Sequence, residues 1–442
     1  MIYQNRTFLC IITCIVCGTL VTSCGNPAAN QDINAIQNSS AESNDNETAN
    51  SEGPLVVWGQ YDLTDQKSEQ SRLMSERINT FEEETAIEVI YEQIAWDQLA
   101  TRLAVAVQSG GDVPDVVESG SQHIPALLSA GALSQLDQLV ENELWIEEMN
   151  ENDTATCIYN GSRYCVSTMV RSGITYYQTA DFPDGFPETN TDFLSAAERL
   201  HEEQKFMTSF YAAREYASVE LTWGQWIYSN GGRLFDDEGK PAWATPQTVE
   251  VLEFGRELAT RGYIPEANFT GDLVTAEVPW IENQTGSFRG GTWSVLFIDG
   301  LAEQFENGDV DIAGGISFNN NEPTIFLNSE NWVVPEGAQN PQAAIMWMQN
   351  FMEPEFLASW CQASSGLPTL TPALETTSFD SAFYAEVADL INNQGKMIEQ
   401  SPYYQESLDG LATAIQEIML DPSIDIMEHI QQAQDEILNR YW

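Results

Sequence analysis

Between Leu55 and Gly131, short apolar runs alternate with segments of helical spacing, and this alternation narrows the fold more than any other feature of the chain. Leu55 to Val57 is a short apolar strand, and a polar helical segment ending at Phe81 leads to a second strand around Ile87 to Tyr91. Trp96, Leu99, Leu103 and Val107 recur at helical spacing, and Gly110 and Gly111 stop that helix. Pro114 and Asp115 open a third strand through Val116 and Val117, and a helix from about Gln122 closes at Gly131. Strand, helix, strand, helix in this order implies parallel strands joined by crossovers, an open α/β domain.

From about Ala180 helices dominate. Thr191 is placed as the N-cap of a helix to Glu203, Thr222 to Ser229 form another, and Pro246 starts a long one ending near Gly262. Asp236 to Gly239 form a turn between two short strands, and strands return at Thr292 to Phe297 and Trp332 to Pro335. Leu408 to Met419 and Ile426 to Leu438 carry the apolar steps of packed helices. No repeat of fixed period is present. Two α/β lobes sharing crossing segments fit this order better than two consecutive domains. The expected division is 54–178 with 297–350 in the N-terminal lobe, and 179–296 with 351–442 in the C-terminal lobe.

Ahead of these elements, Arg6 precedes an apolar run from Phe8 to Leu20, which ends in Val21, Thr22, Ser23 and Cys24. That is the pattern of a secretory signal peptide over residues 1–23, and the run is too short for a permanent membrane span. A Cys directly after small residues resembles the lipobox of bacterial lipoproteins, which implies cleavage before Cys24 and acylation of its thiol. An ordinary signal peptide with an incidental Cys24 is the alternative. Residues 25–53, mostly Asn, Ser, Ala, Glu and Asp, bury too little surface to offset their ordering entropy and read as a disordered tether from the lipidated Cys24. The expected location is extracytoplasmic, with the lipid anchor as the sole membrane attachment.

The formal net charge of −50 repels polyanions, so nucleic acid is excluded as a partner. The acidity reads as a solvated surface suited to a saline habitat, with recognition of a cationic solute as the alternative. Cys10, Cys14 and Cys17 lie in the signal segment. Cys157 and Cys165 flank Asn160, Gly161 and Ser162, and a hairpin with a three-residue loop there sets them opposite each other, as a disulfide or as two buried thiols. Cys361 lies in a helical stretch and is expected to stay free.

Across nearly the whole mature chain the segments resemble the extracellular solute-binding proteins of sugar ABC transporters, the maltose-binding-protein-like group. Phe81 with Val89 resembles the family's opening helix and strand. Gly110, Gly111, Pro114, Asp115 and Val116, then Gly131, Ala132, Leu133 and Leu136, resemble its "G-x-x-P-D-V … A-G-x-L-x-x-L" run. Tyr159, Gly161, Tyr164 and Val166, followed by Tyr176 and Tyr177, resemble "Y-x-G-x-x-Y-x-V-P … Y-Y-N", with Ser167 in place of the Pro and Gln178 in place of the Asn. Thr222, Trp223, Gly231, Gly232, Gly239 and Lys240 resemble its "T-W … G-G … G-K" stretch. Gly291 with Trp293 resembles the "G-x-W" of the second lobe crossing, and Pro341, Ala343 and Ala344 the "N-P-x-x-A" helix start. The resemblance implies a type II periplasmic-binding-protein-like α/β fold, two lobes around a ligand cleft. It also implies a monomer that captures a mono- or oligosaccharide by lobe closure and delivers it to permease subunits.

Sugars present hydroxyl edges and weakly polarised C–H faces, so a site for them needs aromatic faces and planar polar side chains. In open α/β sheets these gather at the C-terminal ends of strands. Gln60 and Asp62 follow the first strand, and Ser119 and Gln122 follow the strand of Val116. The resemblance puts Arg171 before the first crossing strand, Glu220 and Trp223 at the start of a second-lobe helix, and Trp293 on the return crossing. Trp332 adjoins a strand end. Arg171 is expected either to clamp a ligand carboxylate, as of a uronate, or to pair with a cleft acid such as Glu220. Each Trp has core packing as its alternative role.

An enzyme is the weaker reading. There is no G-x-S-x-G, and His201 lacks a second His at the H-E-x-x-H spacing. Two carboxylates suffice for a glycoside hydrolase, so composition alone leaves that class open; the whole-chain resemblance and the tether argue against it. Neither metal nor cofactor is expected. The alternatives are a binding protein for a cationic solute such as a polyamine, and a sensor or adhesin lipoprotein of the same fold.

Overall fold

The computed structural model describes residues 53–271 and 273–442; the signal segment, Cys24 and the tether up to residue 52 lie outside the described residues. The strands are β1 (Leu55–Gly59), β2 (Val89–Gln93), β3 (Val116–Gly120), β4 (Ile158–Tyr159), β5 (Ser162–Arg163) and β6 (Cys165–Gln178). They continue with β7 (Phe206–Phe210), β8 (Thr285–Gly291), β9 (Val310–Ala313), β10 (Ile325–Val333), β11 (Leu367–Pro368) and β12 (Gly395–Lys396).

The opening alternation forms as its sequence requires. Ser68 caps the helix Glu69–Thr85 by accepting the Ser71 amide at 3.2 Å, and Gly110 closes the helix Trp96–Ser109 in the left-handed conformation at φ 63°. These two crossovers make β1 parallel to both β2 and β3. The main sheet runs β2-β1-β3-β10-β6-β8-β7. Leu55, Val57, Val116 and Trp332 pack into one core, while Trp58, Val117 and Val333 pack into another. The strand alternation thus covers both faces of the sheet, as in doubly wound α/β proteins.

The fourteen-residue strand β6 is the shared element. Residues Cys165 to Ser172 pair with β10, and Gly173 to Gln178 pair with β8 and β9. Beyond that switch a second large core gathers Phe210, Trp223, Trp226 and Phe254 with Leu411, Ile415 and Ile430. Phe356, Trp360 and Ile391 from the C-terminal helices pack instead with Leu55 and Trp332.

Several expected elements shift, each for a local reason. Thr189, not Thr191, caps the helix Asn190–Glu202, because its hydroxyl accepts the Asp192 amide at 3.1 Å. The helix expected from Thr222 begins at Tyr216 and passes through a π-turn, Val219–Trp223, before Gly224–Ser229. The strand expected at Thr292 to Phe297 lies earlier, as β8. The Ser294 hydroxyl accepts the Gly291 amide at 3.2 Å and turns the chain into the short helix Ser294–Phe297. β10 likewise starts at Ile325, well before the expected Trp332.

The Cys157 to Cys165 hairpin turns on two residues rather than three. Asn160 (φ 53°) and Gly161 (φ 81°) take the left-handed conformations of a tight hairpin turn between β4 and β5. A disulfide joins Cys157 to Cys165, whose Cα atoms are 4.9 Å apart, and Cys361 is a buried free thiol. Among the described residues, no helix is long and apolar enough to cross a membrane.

Candidate functional site

A cleft of about 390 Å³ opens where β1, β3, β6 and β10 meet the π-turn and the residues after β8. Its size suits a small-molecule site. Gln60 reaches it from the end of β1, and Gln122 from the 3₁₀ turn Ser121–His123 that follows β3. The crossing strands supply Arg171 from β6 and Asn328 to Glu330 from β10. From the other side come Tyr216, Glu220 and Leu221, while Trp293 precedes the short helix after β8 and Phe297 ends it.

Four aromatic side chains face this space: Trp96, Tyr216, Trp293 and Phe297. Trp293 is half-buried, and its indole lies over Gly291, where any Cβ would collide with the ring. The guanidinium carbon of Arg171 sits 5.8 Å from the Trp293 ring centroid. Trp96 rests beside His123, ring centroids 5.4 Å apart. His123 accepts the Gly120 amide at 3.3 Å through Nδ1, and burial holds its pKa down at about 4, so the ring is neutral.

Charge in the cleft is arranged in pairs. Arg171 is ion-paired with Glu330, which lies diagonally across the β6–β10 ladder, two residues from the register partner Asn328, and the Arg171 Nε also approaches the Met169 sulfur at 3.4 Å. The other Glu330 oxygen, Oε2, is buried without a hydrogen-bond partner. Behind Gln60, buried Glu118 accepts both the Gln60 backbone amide and its side-chain amide at 3.0 Å. Burial raises the Glu118 pKa against the lowering effect of these bonds and of Arg171. On the opposite wall, Glu220 is only 6% exposed and is pushed up to about 7 by burial, although Tyr404 donates to its Oε1 at 2.7 Å.

The π-turn is what presents Glu220. Its irregular carbonyls are caught by buried side chains: Gln225 donates to the Glu220 carbonyl at 2.8 Å, and Arg289 Nε to the Leu221 carbonyl at 2.7 Å. Arg289 also reaches Thr175 on β6 at 3.0 Å and the Gly314 carbonyl at 3.2 Å, which ties the π-turn to two crossing segments.

Of the residues expected at the site, Gln60, Gln122, Arg171, Glu220 and Trp293 come together around this cleft. Four others do not line it. Trp223 is fully buried in a T-shaped cluster with Phe210 and Trp226, both at 5.5 Å. Trp332 packs under the sheet against Trp347 and Phe351, at 5.7 and 5.3 Å. Ser119 is buried within β3. Asp62 is exposed and closes a local turn by accepting the amide and hydroxyl of Thr64 at 2.9 and 2.6 Å. Arg171 pairs with Glu330 rather than with Glu220.

Sequence reasoning missed Trp96, Tyr216, Phe297, Asn328 and Glu330. Trp96 stood in register with buried Leu99 and Leu103, a spacing that does not distinguish a core residue from one at the helix's open end. Glu330 had one usable signal, a lone carboxylate within the run Ile325–Val333 whose neighbours are nearly all buried. Among the described residues no cluster of His, Cys, Asp and Glu is arranged to hold a metal ion.

Comparison with known proteins agrees with this architecture. An arabinooligosaccharide-binding protein from Halalkalibacterium halodurans is 24% identical over 173 residues, which span 38% of this chain and 38% of that relative. A solute-binding protein of an ABC transporter from Thermotoga lettingae, solved with α-D-tagatose, superposes with a TM-score of 0.73 at 19% identity, covering 88% of this chain and 99% of that one. A cyclic α-maltosyl-1,6-maltose-binding protein from Arthrobacter globiformis gives 0.71 at 17% identity, covering 88% and 100%. These likenesses establish a shared two-lobed α/β fold. The model of the bacterial extracellular solute-binding protein family matches residues 76–386, well over half of the chain, and the protein belongs to that family.

Proposed function

We propose that this protein is the substrate-binding component of an ABC transporter, taking up a mono- or oligosaccharide in the cleft and delivering it to permease subunits. One observation carries the reading. Four aromatic side chains share a single cleft with amide, carboxylate and guanidinium groups from several separate segments. Rings stack on the C–H faces of a sugar, and planar polar groups exchange paired hydrogen bonds with its hydroxyls. The sugar-binding names of the relative and of the solved structures support the same reading.

We assign residues 351–391 to the lobe of β1, because Phe356, Trp360 and Ile391 share the core of Leu55, and the Tyr404–Leu420 and Ile426–Tyr441 helices to the other, because Leu411, Ile415 and Ile430 pack with Phe210 and Trp223. A ligand that touches both walls binds the closed form better and shifts the population toward it. The role is binding rather than catalysis, outside the cytoplasm, with Cys24 as the lipidated anchor. A cationic solute is the second reading, favoured by the carboxylates of Glu220 and Glu330 at the cleft.

The test is thermal stabilisation of the purified protein across a broad panel of carbohydrates and polyamines. A ligand at 100 Kd adds about 2.7 kcal/mol. Stabilisation by saccharides is expected; stabilisation by polyamines alone would replace the carbohydrate reading with the cationic one.

A further inference from the structure

The carbohydrate reading leaves open whether the ligand is neutral or acidic, and the Arg171–Glu330 pair bears on that choice. Arg171 is the one cation among the described residues that line the cleft. Alone, it would draw a uronate carboxylate into a bidentate clamp. It is not alone: Glu330 holds it from the neighbouring strand, and the two side chains are only 18% and 11% exposed. Glu118 is close enough to act on Arg171 electrostatically but is held by Gln60. Glu220 adds a third carboxyl group on the facing wall.

We infer that Glu330 determines ligand specificity, cancelling Arg171 so that the cleft rejects acidic sugars and accepts neutral ones. A carboxylate brought to Arg171 meets the Glu330 carboxylate beside it, and that like-charge contact is costly where water is excluded. A neutral hydroxyl meets the opposite situation. It brings no like charge to Glu330, and the side-chain amides of Gln60, Gln122 and Asn328 at the cleft can exchange hydrogen bonds with it. The Trp293 ring beside Arg171 then stacks on the same sugar unit.

The inference rests on the carbohydrate reading, and calorimetric titration with matched pairs separates the two. Glucose with glucuronate, galactose with galacturonate, and oligosaccharides of each are titrated into wild type, Glu330→Gln and the double variant Arg171→Gln/Glu330→Gln. Wild type is expected to prefer the neutral member of a pair by at least about tenfold. Glu330→Gln should narrow or reverse that preference by freeing the guanidinium, and the double variant should gain no affinity for uronates. Should Glu330→Gln not fold, the wild-type comparison can still overturn the inference. Equal or tighter binding of the uronate by wild type overturns the inference and leaves the carbohydrate reading standing. An unchanged preference in a folded Glu330→Gln also overturns it, and failure of every saccharide to bind removes both readings together.

Discussion

Trp293 leaves the end of β8 half-buried over Gly291 and lines the cleft, whereas Trp223 sits in the second core with no exposed surface. The two should respond oppositely to the same substitution. Trp293→Ala is expected to weaken saccharide binding at least about tenfold, as loss of an aromatic anchor does, with little change in melting temperature. Trp223→Ala is expected to cost ~3–5 kcal/mol of stability through the cavity it leaves. Titration and thermal unfolding of both variants check this. Glu220 gives a pH prediction. Its folded pKa of about 7 lies above its ordinary value of 4.5, so between those values the folded state binds more protons than the unfolded one. The Glu220 contribution therefore makes stability fall as pH rises across that window. Glu220→Gln should flatten that part of the profile and raise stability at pH 8 relative to wild type, as unfolding curves at several pH values would show. Side-chain roles were the least legible part of the sequence. In a chain with 67 acidic residues, the one local mark of Glu330, a lone carboxylate between Ile325 and Val333, does not tell what it pairs with until the β6–β10 ladder brings it diagonally to Arg171. Gln60 and Gln122 were legible because residues just past parallel strand ends face the ligand side of an open α/β sheet.

At the scale of elements, periodicity located the β1 to β3 unit and the C-terminal helices within a few residues, because both carry long apolar patterns that neighbouring structure does not override. Elements built on long-range contacts were harder. β8 was displaced because Gly290 and Gly291 carry no apolar signal, and the π-turn is held by Arg289 from a distant strand. Most of β10 went unread, since its polar Asn328 to Asn331 break the apolar run. The hairpin at Asn160 and Gly161 was legible, although with a loop one residue too long, and the sequence leaves the Cys157–Cys165 pairing open, whereas the structure joins the two. A crosslink over so short a loop is expected to stabilise the fold by ~2–3 kcal/mol. Cys157→Ser/Cys165→Ser should lose about that much in denaturant unfolding; an unchanged midpoint would mean that the hairpin and the Arg163–Asp153 ion pair fix this corner alone.

At the scale of the whole molecule, the proposal separates anchoring from binding. Cys24→Ser is expected to release the protein from the membrane fraction with unchanged ligand affinity, because the proposed anchor is far in sequence from the residues that line the cleft. Retention in the membrane would point to an uncleaved signal segment instead. The fold family was legible from the order and spacing of many weak motifs, since several of their glycines, Gly110, Gly131, Gly161, Gly231 and Gly239, sit at left-handed positions that the chain reversals need. Ligand identity was not, because it depends on which side chains the crossing strands bring face to face. Calorimetric titration of neutral saccharides into wild type and Trp293→Ala is the most direct test of the central claim. The account predicts wild-type binding in the micromolar range that Trp293→Ala weakens at least about tenfold while remaining folded. Absence of saccharide binding, or binding untouched by the loss of Trp293, would contradict it.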